Sequence, residues 1–155
     1  MAADELVIRQ ARADEGLDLT GLAMRAKSHW GYDHGFLESA RASLTIDAET
    51  IRSSRMFVVE RDGRPIGFYG LMGDPPEGRL EWMFLEPEAI GHGYGRRMWD
   101  DAMARAKDVG FSKLLIESDR FAEPFYLAMG ATRVGATASP VDGAPLPLLK
   151  IAIEA

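Results

Sequence analysis

One segment constrains this chain more than any other: LEWMFLEPEAIGHGYGRRMW, residues 80–99. It opens as an apolar, aromatic-rich strand and passes Glu86-Pro87. It then runs through the alternating glycines Gly91, Gly93 and Gly95 into residues with helical spacing. Glycine reaches backbone conformations closed to other residues and lets a ligand approach the chain closely. A loop of this kind at the start of a helix gathers unpaired N–H groups at the positive end of the helix dipole. That combination suits a phosphate or diphosphate. Two familiar phosphate motifs do not fit. A P-loop needs Gly-Lys-Ser/Thr, and this loop has no lysine; a GxGxxG fingerprint needs glycine where Arg96 stands. The competing reading is a turn that merely joins strand to helix.

The apolar period predicts the remaining elements. Leu6 to Ala11 reads as a strand, and Leu19, Leu22, Ala23 and Ala26 mark a helix over residues 17–26. SHWGYDHG (residues 28–35) breaks it, and helical stretches follow at 36–44 and 48–54. Met56 to Glu60, Pro65 to Met72 and Arg79 to Leu85 form an antiparallel meander, turned at Arg61-Asp62-Gly63-Arg64 and at residues 73–78. Past the glycine loop, Met98, Ala102, Ala106 and Val109 share a helix face that ends at Gly110. Lys113 to Glu117 is a strand, Pro124 to Met129 a helix, and Thr132 to Ala136 and Leu148 to Ile153 are the last strands. The order β-α-α-β-β-β-α-β-α-β-β predicts an α/β (α+β) domain, a mixed sheet with helices on its faces. At 155 residues, without a linker or repeat, the chain reads as a single domain over 1–155.

Composition removes whole classes of function. Cysteine is absent, which excludes disulfide frameworks, thiolate metal sites and cysteine nucleophiles. The histidines are His29, His34 and His92, with no HExxH pair, so no metal is expected. Lys+Arg is 18 against Asp+Glu 24, a net charge of −6 without a basic cluster, which argues against nucleic acid. The acidic balance slightly favours cationic partners such as amines, though solubility explains it as well. No membrane span or secretory leader is visible, so a cytoplasmic protein is the expectation.

The motifs resemble the GNAT acyltransferase superfamily. The likeness covers nearly the whole chain and is sharpest from Leu80 to Gly130. Members carry a strand ending in a Val-x-Pro-like element, then Gln/Arg-x-x-Gly-x-Gly/Ala, then a helix. Here these read Leu85-Glu86-Pro87 and Ile90-Gly91-His92-Gly93-Tyr94-Gly95, with Ile90 in place of Gln/Arg. A second motif, Asn-x-x-Ala-x-x-Phe-Tyr before a Gly-aromatic pair, reads Asp119 to Tyr126 and then Gly130-Ala131. Asp119 and Ala131 depart from it.

The resemblance implies a mostly antiparallel sheet of about seven strands, splayed between strands 4 and 5, with acetyl-CoA in the wedge. The pantetheine amides would bond the edge of strand 4 like an added peptide. A β-bulge near Leu85 would aim its N–H at the thioester carbonyl as an oxyanion donor. Backbone N–H groups from Gly91 to Arg96 would hold the diphosphate. The implied cofactor contacts are Phe84, Leu85, Ile90, Gly91, His92, Gly93, Tyr94, Gly95, Arg96, Asp119 and Phe125. The implied reaction is direct attack of a primary amine, on a small molecule or a peptide, in a ternary complex without metal. Tyr126 matches the family's acid, a phenol that stays protonated at neutral pH and donates toward the sulfur. A non-catalytic acyl-CoA-binding or regulatory module is the alternative, and the departures at Ile90, Asp119 and Ala131 leave room for it.

Glu81 is the general-base candidate, a carboxylate among Leu80, Trp82, Met83 and Phe84. Alternation groups Glu81 with Met83 and Leu85 on one strand face. The competing reading is a glutamate turned to solvent. For the acceptor, the break at residues 28–33 offers Trp30 and Tyr32 as an aromatic wall and Asp33 to attract an ammonium; Tyr69 is a further candidate. Trp30 and Tyr32 read equally well as anchors between helices. The loop from Ala138 to Leu149 can border an acceptor pocket or support a dimer, so monomer and homodimer both stay open.

Overall fold

A computed structural model describes residues 6–154. The first five residues, part of the stretch read for a leader, and Ala155 lie outside the described residues. Seven strands form one mixed sheet in the order β1-β2-β3-β4-β5-β7-β6, with helices on both sides. The strands are β1 (Leu6–Gln10), β2 (Arg55–Arg61), β3 (Arg64–Met72), β4 (Glu77–Leu85), β5 (Lys113–Glu117), β6 (Thr132–Ala138) and β7 (Pro145–Ala152). The helices are α1 (Gly16–Ser28), α2 (His34–Leu44), α3 (Ala48–Ser53), α4 (Tyr94–Val109) and α5 (Glu123–Ala128). The chain divides into two compact units. Among the described residues, one comprises residues 6–70 with Trp82–Met98, the other Leu71–Glu81 with residues 99–154.

Local chemistry accounts for these elements. α1 buries Leu19, Leu22, Ala23 and Ala26, the spacing visible in the sequence. α2 and α3 start at aspartate caps: Asp33 accepts the Phe36 N–H at 2.7 Å, and Asp47 accepts the Thr50 N–H at 2.8 Å. β2 and β3 are joined at Asp62 and Gly63, both at positive φ (51° and 82°), the two-residue turn that suits the twist of a hairpin. Glu15, at the turn before α1, is 5% exposed. Its carboxylate accepts two bonds from Arg9 (2.8 and 2.7 Å) and one from the Arg12 N–H (2.7 Å), and Arg9 also reaches Glu60 at 3.0 Å. This pairing holds the Glu15 carboxyl below the usual carboxylate range, the Arg9 hydrogen bond being the largest cause.

Two features set β4 apart. Its parallel pairing with β5 runs from Glu77/Lys113 to Arg79/Leu115 and stops, while β4 continues to Leu85 and β5 to Glu117. The strands part there. Trp82 has φ +55°, a left-handed residue inside a strand. The irregularity of β4 thus stands at Trp82, upstream of the Leu85 position where a bulge is expected. Gly78 and Leu80 are buried before the kink, whereas Met83 and Leu85 pack into the core after it. The regular alternation of exposed and buried residues holds from Glu77 to Leu80 and is lost from Glu81 to Leu85, all half-buried.

Candidate functional site

At the end of β4, Leu85 packs with Met83 against the cluster of Val59, Ile66, Ala89, Tyr94 and Met98. The Glu86 N–H donates to the Ile66 carbonyl at 2.7 Å, so that donor is already engaged. Pro87–Ala89 then make one 3-10 turn, and Ile90 emerges 44% exposed. Gly91 and Gly93 have φ +90° and +80°. A Cβ at either would meet nothing within 4 Å, so the backbone conformation requires glycine and crowding does not. α4 begins at Tyr94, one residue after this bend, and the Arg97 N–H donates to the Gly93 carbonyl at 3.3 Å.

Tyr94 and Gly95, expected in the loop, lie in the first helical turn. The Tyr94 side chain is buried in the core cluster, with His92 stacked at 5.6 Å and the Arg61 guanidinium 5.8 Å from its ring centre. His92, Arg96 and Arg97 are exposed. The bend thus offers solvent a run of backbone beside two arginines at the head of a long helix. Phe84 is half-buried and packs on Phe68, ring centres 5.8 Å apart. Glu81 is half-buried, with Arg79 at 3.6 Å.

The second motif belongs to the other unit. The Asp119 carboxylate accepts the Phe121 N–H at 2.8 Å. Its carbonyl accepts the Ala122 and Glu123 N–H groups and the Ser118 hydroxyl. Asp119 therefore builds the turn that starts α5. On α5, Tyr126 is buried against Phe125 (5.4 Å) and Trp99 (6.0 Å). Burial, with the Asp119 charge second, pushes its phenol well above the usual tyrosine range. The hydroxyl keeps its proton throughout the physiological range.

The break between α1 and α2 is where the sequence puts it, but its residues are engaged. Tyr32 stacks on Phe36 at 4.3 Å, with the Lys27 ammonium 5.0 Å from its ring centre. Trp30 is 38% exposed, edge-on to His29 at 5.0 Å. Asp33, expected to attract an ammonium, is the N-cap of α2. Tyr69 lies fully buried in the core beside Phe57. Sequence reasoning missed the Arg25–Glu86 ion pair, whose partners stand 61 positions apart. No local pattern links them. Among the described residues no cluster of three or more His, Asp or Glu is placed to hold a metal, and no helix is long and apolar enough to cross a membrane.

Comparison with known proteins bears on this geometry. The family model "Acetyltransferase (GNAT) family" matches residues 22–131. No curated protein matches the chain. Among solved structures, the PaiA N-acetyltransferase of Thermoplasma acidophilum, in complex with coenzyme A, superposes with a TM-score of 0.76 at 18% identity. The match covers 96% of this chain and 99% of that one. An acetyltransferase of the GNAT family from Staphylococcus aureus gives 0.74 at 13% identity, over 97% and 100% of the two chains. The ribosomal-protein-S18-alanine N-acetyltransferase of Escherichia coli gives 0.72 at 13% identity, over 97% and 96%. At these identities the likeness is one of fold.

Proposed function

This chain belongs to the GNAT acetyltransferase family, and on that premise we propose that it moves the acetyl group of acetyl-CoA to a primary amine by direct attack in a ternary complex. The observation that carries the reading is the bend at Gly91 and Gly93, left-handed at both glycines, open to solvent and set at the head of the 16-residue α4. Its geometry fits a diphosphate, which backbone N–H groups bind without needing the Gln/Arg side chain that Ile90 replaces. Exposed Arg96 adds positive charge. Past Arg79, β4 has no β5 partner, which supports its edge as the place where pantetheine amides bond.

Coenzyme A supplies the activated thioester; the rest is this chain's chemistry. The Leu85 N–H holds the negative charge that develops on the carbonyl oxygen. Tyr126 donates toward the departing sulfur. Its raised pKa stands above the roughly 8.5 of a free thiol, so its part is a retained hydrogen bond more than complete proton transfer. Glu81 receives the amine proton, directly or through a water. The acceptor lies at the break carrying Trp30 and Tyr32.

Incubation with acetyl-CoA and a panel of polyamines, amino acids and short peptides tests the reading. Thiol release above background is expected with at least one amine; tight CoA binding without release on any amine would point to a binding module instead. Tyr126→Phe should lower kcat about a hundredfold while leaving CoA affinity within about twofold. Unchanged turnover would remove Tyr126 as the acid.

A further inference from the structure

The end of α1 and the end of β4 are joined by a two-pronged ion pair. Arg25 lies in the last turn of α1, and its Nε and Nη2 hold the Glu86 carboxylate at 2.8, 3.2 and 2.8 Å. The Glu86 side chain is 14% exposed and that of Arg25 57%. Planar, charge-assisted contact of this kind fixes direction as well as distance. Glu86 is held by its backbone too. Its N–H is on the Ile66 carbonyl at 2.7 Å, and its carbonyl accepts the Ala89 N–H at 2.9 Å. On the other side, the Arg25 carbonyl accepts the His29 N–H at 3.2 Å and the Ser28 hydroxyl at 2.9 Å. The chain leaves the helix at that point and enters the break with Trp30 and Tyr32.

We infer that the Arg25–Glu86 pair is a positioning strut, which sets the acceptor-side break against the end of β4 next to Leu85. The kinetic part of this rests on the acetyl-transfer reading; the geometric part does not. Neither residue has a part among the reactant contacts of that reading: the Glu86 carboxylate is taken by Arg25, and its N–H by the Ile66 carbonyl. The glycine bend lies beyond the Pro87–Ala89 turn and is set by the left-handed backbone of Gly91 and Gly93, so its shape is expected to survive loss of the pair. The break is anchored at its α1 end by the pair. Loss of the pair therefore moves the acceptor side and spares the diphosphate side, a split that a merely stabilising ion pair would not produce.

The test uses the full chain as wild type, Glu86→Gln, Arg25→Lys and the double variant Arg25→Met/Glu86→Gln. Amide hydrogen exchange is followed over residues 29–36 and 91–96, free and with coenzyme A. Steady-state kinetics use the most active amine of the panel. Residues 29–36 should exchange about tenfold faster in Glu86→Gln, intermediate between exposed and buried pairs, while residues 91–96 are unchanged. The amine KM should rise about tenfold, with the CoA dissociation constant within about twofold. Arg25→Lys, which keeps the charge but loses the fork, should fall between wild type and Glu86→Gln. The double variant should be no worse than Glu86→Gln, because both changes cut the same contact. Equal exchange over residues 29–36 in all variants, or a lowered Tm with unchanged amine KM, would overturn the strut. Should wild type bind no coenzyme A, the acetyl-transfer reading falls by itself, and exchange in the free protein still decides the strut.

Discussion

The bend at residues 91–93 and the break at residues 29–33 both join structured elements, yet their working groups differ in kind. In the proposed reading the bend works through its backbone. Gly91 and Gly93 stand at positive φ with open space around them, and the groups that reading calls on are main-chain N–H donors. In that reading the break works through side chains, and the structure engages each of them within the fold. Asp33 caps α2, Tyr32 stacks on Phe36 beneath Lys27, and Trp30 leans on His29. A backbone site leaves a signature in the residue types themselves, because few residues tolerate its conformation. A side-chain site does not, because the same side chains serve packing and capping equally well.

Changes at the two regions would sharpen or break that contrast. The largest effect is expected at the bend. Gly93→Val forces a β-branched residue into a left-handed conformation and should weaken coenzyme A binding about a hundredfold by calorimetry, with the rest of the fold intact. Affinity close to wild type would show that the bend's conformation is not what binds.

Glu15 measures what a side-chain cluster contributes when no ligand is involved. Glu15→Gln should cost about 2 kcal/mol at neutral pH in denaturant unfolding. The folded carboxyl lies below its ordinary value, so its stabilisation is present above the unfolded pKa of about 4.3. It is lost as pH falls through the lower folded value, and the gap between wild type and variant should close below about pH 4. A gap that persists there would mean packing, not charge, holds the turn before α1.

At the break, Trp30→Ala should raise the amine KM about tenfold without changing CoA affinity. An unchanged KM would make Trp30 surface only. The smallest effect separates two roles of one residue. Asp33→Ala removes the cap and should lower stability by about 1 kcal/mol, while Asp33→Asn keeps capping and loses charge. If Asp33 only caps α2, the Asn variant retains both Tm and amine KM; a raised KM with normal Tm would restore the ammonium role.

Particular elements show how far the sequence could be read. α4 was legible because Met98, Ala102 and Ala106 repeat at helical spacing and are buried as that spacing predicts. The Asp62-Gly63 hairpin was legible because both positions need a residue that accepts positive φ. β4 was only half legible. Its existence follows from composition, but period two is a local rule, and the left-handed Trp82 that interrupts it has no signature in a tryptophan. Tyr94 and Gly95 read as loop because glycine spacing shows where a helix can be interrupted, not which residue begins it. Tyr69 carried a polar handle and read as a site residue, yet lies in the core.

Residue order alone was enough for the family, the strand–bend–helix unit and the placement of most elements. These follow from turn chemistry and apolar period, which act between near neighbours in the chain. Packing settled where β4 and β5 part, that Asp33 spends its carboxylate on a helix end, and that Arg25 meets Glu86. Those facts depend on groups brought together across many residues, and no local preference encodes a contact whose partners are chosen by the fold as a whole.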